Sequence, residues 1–241
     1  MAIKLDILAF GAHPDDVELG CGATLAKYVD MKKNVGIIDL TRGELGTRGN
    51  KEIRQKEANE AAKILGVKFR ENLNLQDGFI LNNRESQEKV IQVLRLYKPE
   101  IVLCNAVKDR HVDHSRASDL VSSSCFLSGL EKLKTIKGKN FLNDSWRPRH
   151  VFHYIQWEDL SPDFVLDISG FLKIKMKAVK AFKSQVYDKK STEIETPTSS
   201  INFLNSIESR ATNLGRLIFS DAAEGFTSER ILAVEDFDAL L

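Results

Sequence analysis

Ile7-Leu8-Ala9-Phe10-Gly11-Ala12-His13-Pro14-Asp15-Asp16-Val17-Glu18-Leu19-Gly20 is the stretch that decides how this chain is read. A short apolar run stops at Phe10. A histidine and two adjacent carboxylates follow at once, ahead of an amphipathic helix. A segment that only had to turn would use Gly, Asn or Ser. Two negative charges beside an imidazole are electrostatically awkward unless a cation sits among them. The stretch therefore reads as half of a divalent-metal site.

Around it, strand and helix patterns alternate. Leu5–Phe10 reads as a buried strand, Val17–Lys32 as a helix and Val35–Leu40 as a second strand. Thr41–Asn50 is a glycine-rich loop, and Lys51–Leu65 is an alanine-rich helix stopped by Gly66. Val67–Leu73 is a weaker strand. Arg84–Tyr97 is a helix ended by Pro99, Ile101–Cys104 is a fourth strand, and a helix opens at Asp113 or His114 and runs to about Gly129. This alternation predicts an α/β chain of βαβ units, with a parallel sheet and right-handed crossovers. Further on, Lys132–Pro148 reads as an irregular surface excursion. Val151–Trp157 and Phe164–Ile168 read as strands, and Phe171–Lys183 as a basic helix with Met176, Val179 and Phe182 facing the core. Asp188–Ser200 reads as a mobile loop and Ile201–Ile218 as a last helix. We read residues 1–241 as one domain, with a core over about 1–130 and an extension over about 131–241.

Composition narrows the class. A chain of 241 residues, 42% of them hydrophobic, suffices for one α/β core. Charged residues make up 29% and nearly cancel at net +1, so no nucleic-acid partner is expected. The first residues carry no signal-peptide pattern, and no apolar run approaches the roughly 20 residues of a membrane helix, so no membrane partner is expected. Cys21, Cys104 and Cys125 are odd in number, widely spaced and without CxxC. They read as buried thiols of a reducing compartment, the cytoplasm.

In an open parallel sheet, ligands bind beyond the carboxyl ends of the strands, where the strand order reverses. With the order 3-2-1-4, His13–Asp16 leaves strand 1 at that crevice, and the segment Lys108-Asp109-Arg110-His111-Val112-Asp113-His114 follows strand 4. A catalytic zinc takes three His or carboxylate ligands and keeps one position for water. His13, Asp16 and His114 supply that set, for Zn2+ or another divalent metal. Asp15 is then free to act as general base on the metal-bound water. His111, one turn before His114, is placed to stabilise an oxyanion or protonate a leaving group, with Asp113 orienting it.

Each residue also has a plainer reading. His-x-Asp-His is a common way to start a helix, and Asp113 suits its N-cap. Gly43, Gly46 and Gly49 serve where positive φ is needed. Arg54 and Glu57 match an ordinary i, i+3 helix pair. Asp77 before Gly78 is a turn. Trp146 and Trp157 read as packing residues, although Trp146 beside Arg147 and Arg149 also suits an interface.

At these residues the chain resembles the zinc-dependent N-acetylglucosaminyl deacetylases of the LmbE/PIG-L type. The shared pieces run from Ala12-His13-Pro14-Asp15-Asp16-Val17-Glu18-Leu19-Gly20 through Leu40-Thr41-Arg42-Gly43-Glu44 to Gly49. Arg54-x-x-Glu57, Ala61-Ala62-x-x-Leu65-Gly66, His111-Val112-Asp113-His114 and Ala223-Glu224-Gly225-Phe226 follow in order. The glycine-rich loop is most similar to the branch that makes bacillithiol. The resemblance implies a Rossmann-like fold: a mostly parallel sheet with helices on both faces, plus C-terminal strands and helices. It implies zinc on His13, Asp16 and His114, Asp15 as general base, and His111 as electrostatic partner supported by Asp113. It implies substrate contacts from Arg54, Glu44 and Asp77. The implied reaction is hydrolysis of N-acetylglucosaminyl-malate to glucosaminyl-malate and acetate, in a homo-oligomer that in relatives is often a hexamer. Some relatives supply an oxyanion-binding tyrosine from a late loop. Here Phe203 stands near that place, and no tyrosine is carried over.

Two other enzyme or binding classes compete. One is deacetylation of another N-acetylated amino sugar, such as a chitin fragment. The other is a noncatalytic dinucleotide- or metal-binding module. Asp39, at the end of strand 2, sits where a ribose-binding carboxylate belongs, but the first turn lacks GxGxxG.

Overall fold

The computed structural model describes residues 4–137, 140–142 and 144–240. Among these residues, nine strands and six α-helices follow in chain order. They are β1 (Ile7–Gly11), α1 (Asp16–Asp30), β2 (Val35–Thr41), α2 (Lys51–Leu65), β3 (Phe69–Leu75), α3 (Arg84–Tyr97), β4 (Ile101–Cys104) and α4 (Val112–Ser128). Then come β5 (Thr135–Lys137), β6 (Asn140–Leu142), β7 (His150–Tyr154), β8 (Phe164–Asp167), α5 (Leu172–Val179), α6 (Ile201–Arg216) and β9 (Ala223–Ser228).

Seven strands form one sheet in the order β3-β2-β1-β4-β7-β9-β8, parallel from β3 to β7, with β9 antiparallel to both its neighbours. The expected 3-2-1-4 order holds. Successive β1 side chains face opposite sides of the sheet. Leu8 and Phe10 pack with Val90, Leu94 and Leu120 of α3 and α4. Ile7 and Ala9 pack with Val17, Leu25, Ala58, Ala61 and Ala178 of α1, α2 and α5. Helices thus cover both faces, which is why these strands read as continuous apolar runs.

The local signals for α2 and α3 act as expected. Asn50 and Asn83 accept hydrogen bonds from Ile53 N and Ser86 N at the two helix starts. Gly66 ends α2 at φ 75°.

The second half departs from the sequence reading. The stretch Lys132–Pro148 contains a two-stranded antiparallel hairpin, β5 with β6, rather than irregular chain throughout. Residues 138, 139 and 143 of it lie outside the described residues. α5 is shorter than Phe171–Lys183 because Ala181 N and Phe182 N bond back only three residues, to Ala178 and Val179, and tighten the last turn. Met176, Val179 and Phe182 are buried, as their spacing suggested. β9 carries Glu224 and Gly225, poor strand formers, and was not expected as a strand.

Glu224 also explains an irregularity in α1. The helix is broken at Cys21, φ −137°. The two Glu224 carboxylate oxygens accept from Ala23 N (3.1 Å) and Thr24 N (2.7 Å), the freed donors beyond the break. Lys175 Nζ, 2.6 Å away, balances the buried charge.

Candidate active site

β1 and β4 lie side by side, and the chain leaves them toward opposite edges of the sheet. The turn after β1 is fixed from both neighbours. Ala12 N donates to Asn105 Oδ1 (2.8 Å), and Ala12 O accepts from Thr41 N and Thr41 Oγ1. Asp15 then takes φ 124°, a left-handed conformation rare for a residue with a side chain. Such strain is retained where the surroundings over-determine it, typically at functional sites.

His13, Asp16 and His114 meet at the base of a cavity of about 410 Å³, each nearly buried. Asp16 Oδ2 lies 3.4 Å from His13 Nδ1, and Asp16 Oδ1 lies 3.2 Å from His114 Nε2. Asn105 Nδ2 (3.0 Å) and Gln156 Nε2 (2.7 Å) donate to the same carboxylate and fix its plane. Each imidazole is held at its far nitrogen by another carboxylate. His13 Nε2 is 3.0 Å from Asp77 Oδ1, and His114 Nδ1 is 2.8 Å from Asp109 Oδ2. A carboxylate behind a ligating histidine sets its tautomer and ring orientation.

His111 joins the cluster. The ligand atoms of His13, His111 and His114 come within 4.8 Å of one another, and so do those of His13, Asp77 and Asp113. Converging imidazoles and carboxylates need a cation among them, and this donor set fits a divalent metal. In the metal-free protein the imidazoles and carboxylates balance one another. Burial alone would push Asp16 up, but His114 and His13 outweigh it and hold its carboxyl well below the usual range. Burial alone would lower His13, but hydrogen bonds to Asp113, Asp16 and Asp77 hold it well above the usual range.

Asp15 behaves differently. Burial raises its carboxyl to about 7, against the opposing charge of Arg54, and Asp16 adds to the rise. Arg54 Nη2 donates to Asp15 Oδ1 (3.2 Å) and to Pro14 O (2.6 Å), and Nη1 donates to Gly43 O (3.2 Å). Arg54 is thus part of the cavity wall rather than half of a helix pair, and its buried Nε has no partner among the described residues. Glu57 turns away and accepts from Ser184 N and Oγ.

Several expected roles change. Asp77 lines the cavity, but its Oδ1 faces His13 and its Oδ2 accepts from Leu45 N, so it braces His13 and a loop. Glu44 does not line the cavity; its oxygens accept from Arg42 N and Asp77 N. The Asp113 carboxylate accepts from Gly78 N (2.6 Å) and lies 3.6 Å from His13 Nε2. Its tie to His111 runs through the backbone: Asp113 N donates to His111 Nδ1 (3.2 Å), and His111 is the N-cap of α4. Burial and the charges of His13 and His114 lower His111 below its usual value.

Asp109 was missed. So was Trp157, expected in the core; it lines the cavity in stacked contact with Phe203. No tyrosine lines the cavity among the described residues. Asp39, the support for a dinucleotide module, is 1% exposed and accepts two 2.7 Å hydrogen bonds from Arg70, leaving no oxygen for a ribose. Trp146 anchors its segment by donating to Pro99 O (2.7 Å).

Comparison with known proteins places this chain among sequences and structures of related fold. Residues 8–125 match the family model described as PIG-L, GlcNAc-PI de-N-acetylase. The crystal structure of the conserved protein TT1542 from Thermus thermophilus is 35% identical with a TM-score of 0.85, over 96% of this chain and 98% of that one. The N,N'-diacetylchitobiose deacetylase of Pyrococcus horikoshii is 25% identical with a TM-score of 0.76, over 98% of this chain and 88% of that one. A diacetylchitobiose deacetylase of Thermococcus kodakarensis is 28% identical over 193 residues, 74% of this chain and 69% of that protein. The stretch that matches the PIG-L de-N-acetylase model carries His13, Asp15, Asp16, His111 and His114. No helix among the described residues is long and apolar enough to cross a membrane.

Proposed function

We propose that this protein hydrolyses the acetamide of N-acetylglucosaminyl-malate to glucosaminyl-malate and acetate, with zinc held by His13, Asp16 and His114. The observation that carries the reaction type is Asp15, held by Arg54 in the same cavity as the His13–Asp16–His114 cluster. Zinc, when bound, polarises a carbonyl and lowers the pKa of its water.

The chain's own groups do the rest. Asp15 takes the proton of the attacking water and returns it to the leaving amine nitrogen. Arg54 holds Asp15 in place from the cavity wall. His111, accepting at Nδ1 from Asp113 N, donates from Nε2 to the developing oxyanion. Asp109 and Asp77 keep the ligating rings oriented.

Malate as the aglycone rests on the Thr41–Gly49 loop and its likeness to the bacillithiol branch. The rival substrate is diacetylchitobiose, favoured by the names of two relatives. Side-by-side acetate-release assays separate them: faster turnover of N-acetylglucosaminyl-malate supports the proposal, and faster turnover of diacetylchitobiose overturns its substrate. We also propose a cytoplasmic homo-oligomer, up to a hexamer, which light scattering reads directly.

A further inference from the structure

Arg110 ends the loop after β4 and is exposed at the rim of the cavity, one residue before His111. Its guanidinium lies 4.5 Å from the centroid of the Trp157 ring, and Trp157 is stacked on Phe203 at 5.0 Å. All three side chains line the cavity that holds Asp15 and His114. Stacking on an aromatic face immobilises a guanidinium while leaving its N–H fork available at the edge.

The other cations nearby are engaged. Lys108 pairs with Glu158 (3.0 Å), Arg48 with Glu193 (3.3 Å) and Arg54 with Asp15 (3.2 Å). Arg42 donates to Asn74. No described carboxylate pairs with Arg110. A positioned, unpaired guanidinium at the mouth of a cavity is matched by a carboxylate, which it grips through two parallel hydrogen bonds.

We propose that Arg110, held on the Trp157–Phe203 stack, is the specificity determinant that binds a carboxylate on the aglycone of the substrate. The assignment rests on the reading of this cavity as an N-acetylglucosaminide deacetylase site. The acetamide belongs at the buried floor beside Asp15, so the aglycone extends to the rim where Arg110 stands. A neutral aglycone such as a second sugar offers the guanidinium no charge.

The test compares N-acetylglucosaminyl-malate with its dimethyl ester, which differs only in charge and two methyl groups. A charge-assisted contact of this kind predicts that the zinc-loaded protein prefers the acid about tenfold or more in kcat/KM. In Arg110→Gln that ratio falls to near one, chiefly through a higher KM for the acid, whereas Lys108→Gln keeps it. A ratio that survives Arg110→Gln overturns the assignment. Calorimetric binding of the two compounds to wild type and Arg110→Gln separates the two layers. If neither acetamide is cleaved, the deacetylase reading fails. A binding preference for the acid that Arg110→Gln abolishes still supports Arg110, and one that it leaves intact, or no preference in either protein, refutes it.

Discussion

His114 Nδ1 lies 2.8 Å from Asp109 Oδ2, and this one contact directs the opposite nitrogen of the ring to Asp16. The Asp109 carboxylate is itself fixed by Arg110 N, Glu158 N and Trp157 N. Asp109→Ala should keep the fold and weaken metal affinity about 10–100-fold, the usual effect of removing the carboxylate behind a ligating histidine. Competition with a fluorescent chelator measures this, and unchanged affinity would remove Asp109 from the site.

Asp15→Asn keeps the size and the neutral form of the side chain but cannot accept a proton. Metal content by elemental analysis should match wild type, and turnover should fall by about 10²–10⁴-fold, the contribution of a positioned general base. By contrast, His114→Ala should lose the metal itself.

The raised Asp15 carboxyl also has a consequence for stability. It holds its proton more tightly in the folded than in the unfolded chain, so in metal-free protein its contribution to stability falls as pH rises from the unfolded value of 3.8 toward about 7. Metal-free Asp15→Asn should therefore melt above metal-free wild type at pH 8, with the gap narrowing as pH is lowered to 5. Scanning calorimetry at the two pH values reads it; a gap that widens on acidification would contradict the assignment.

Much of the site is legible in sequence because topology does the long-range work. Once strands 1 and 4 are neighbours, His13–Asp16 and His111–His114 must meet, whatever separates them along the chain. The bounds of α2 and α3 are legible because Asn50, Asn83 and Gly66 act within one turn. What was missed has no local period. Asp109 looks like one more polar residue before His111, and Asp77, expected as a substrate contact, gives no local sign that it braces His13. Glu44, a substrate contact by the family resemblance, instead bonds the backbone of Asp77, 33 residues away. Trp157 is aromatic and follows an apolar strand, so burial was the natural expectation. A signal was available for Asp109: a carboxylate five residues before a ligating histidine, on a loop, is in reach of its ring.

Glu224 reaches across 200 residues to the break in α1, and no spacing rule finds it. Glu224→Gln strands the buried Lys175 charge and should cost about 3–5 kcal/mol of stability, whereas Glu224→Gln combined with Lys175→Met should recover part of the loss. Urea unfolding of the three proteins checks both statements.

A divalent metal on His13, Asp16 and His114 should support deacetylation. The most direct measurement is acetate released from N-acetylglucosaminyl-malate by the purified protein before and after dialysis against a chelator, and again after zinc is returned. Turnover should be lost with the metal and restored with it. Equal acetate release by protein shown by elemental analysis to be metal-free would contradict this.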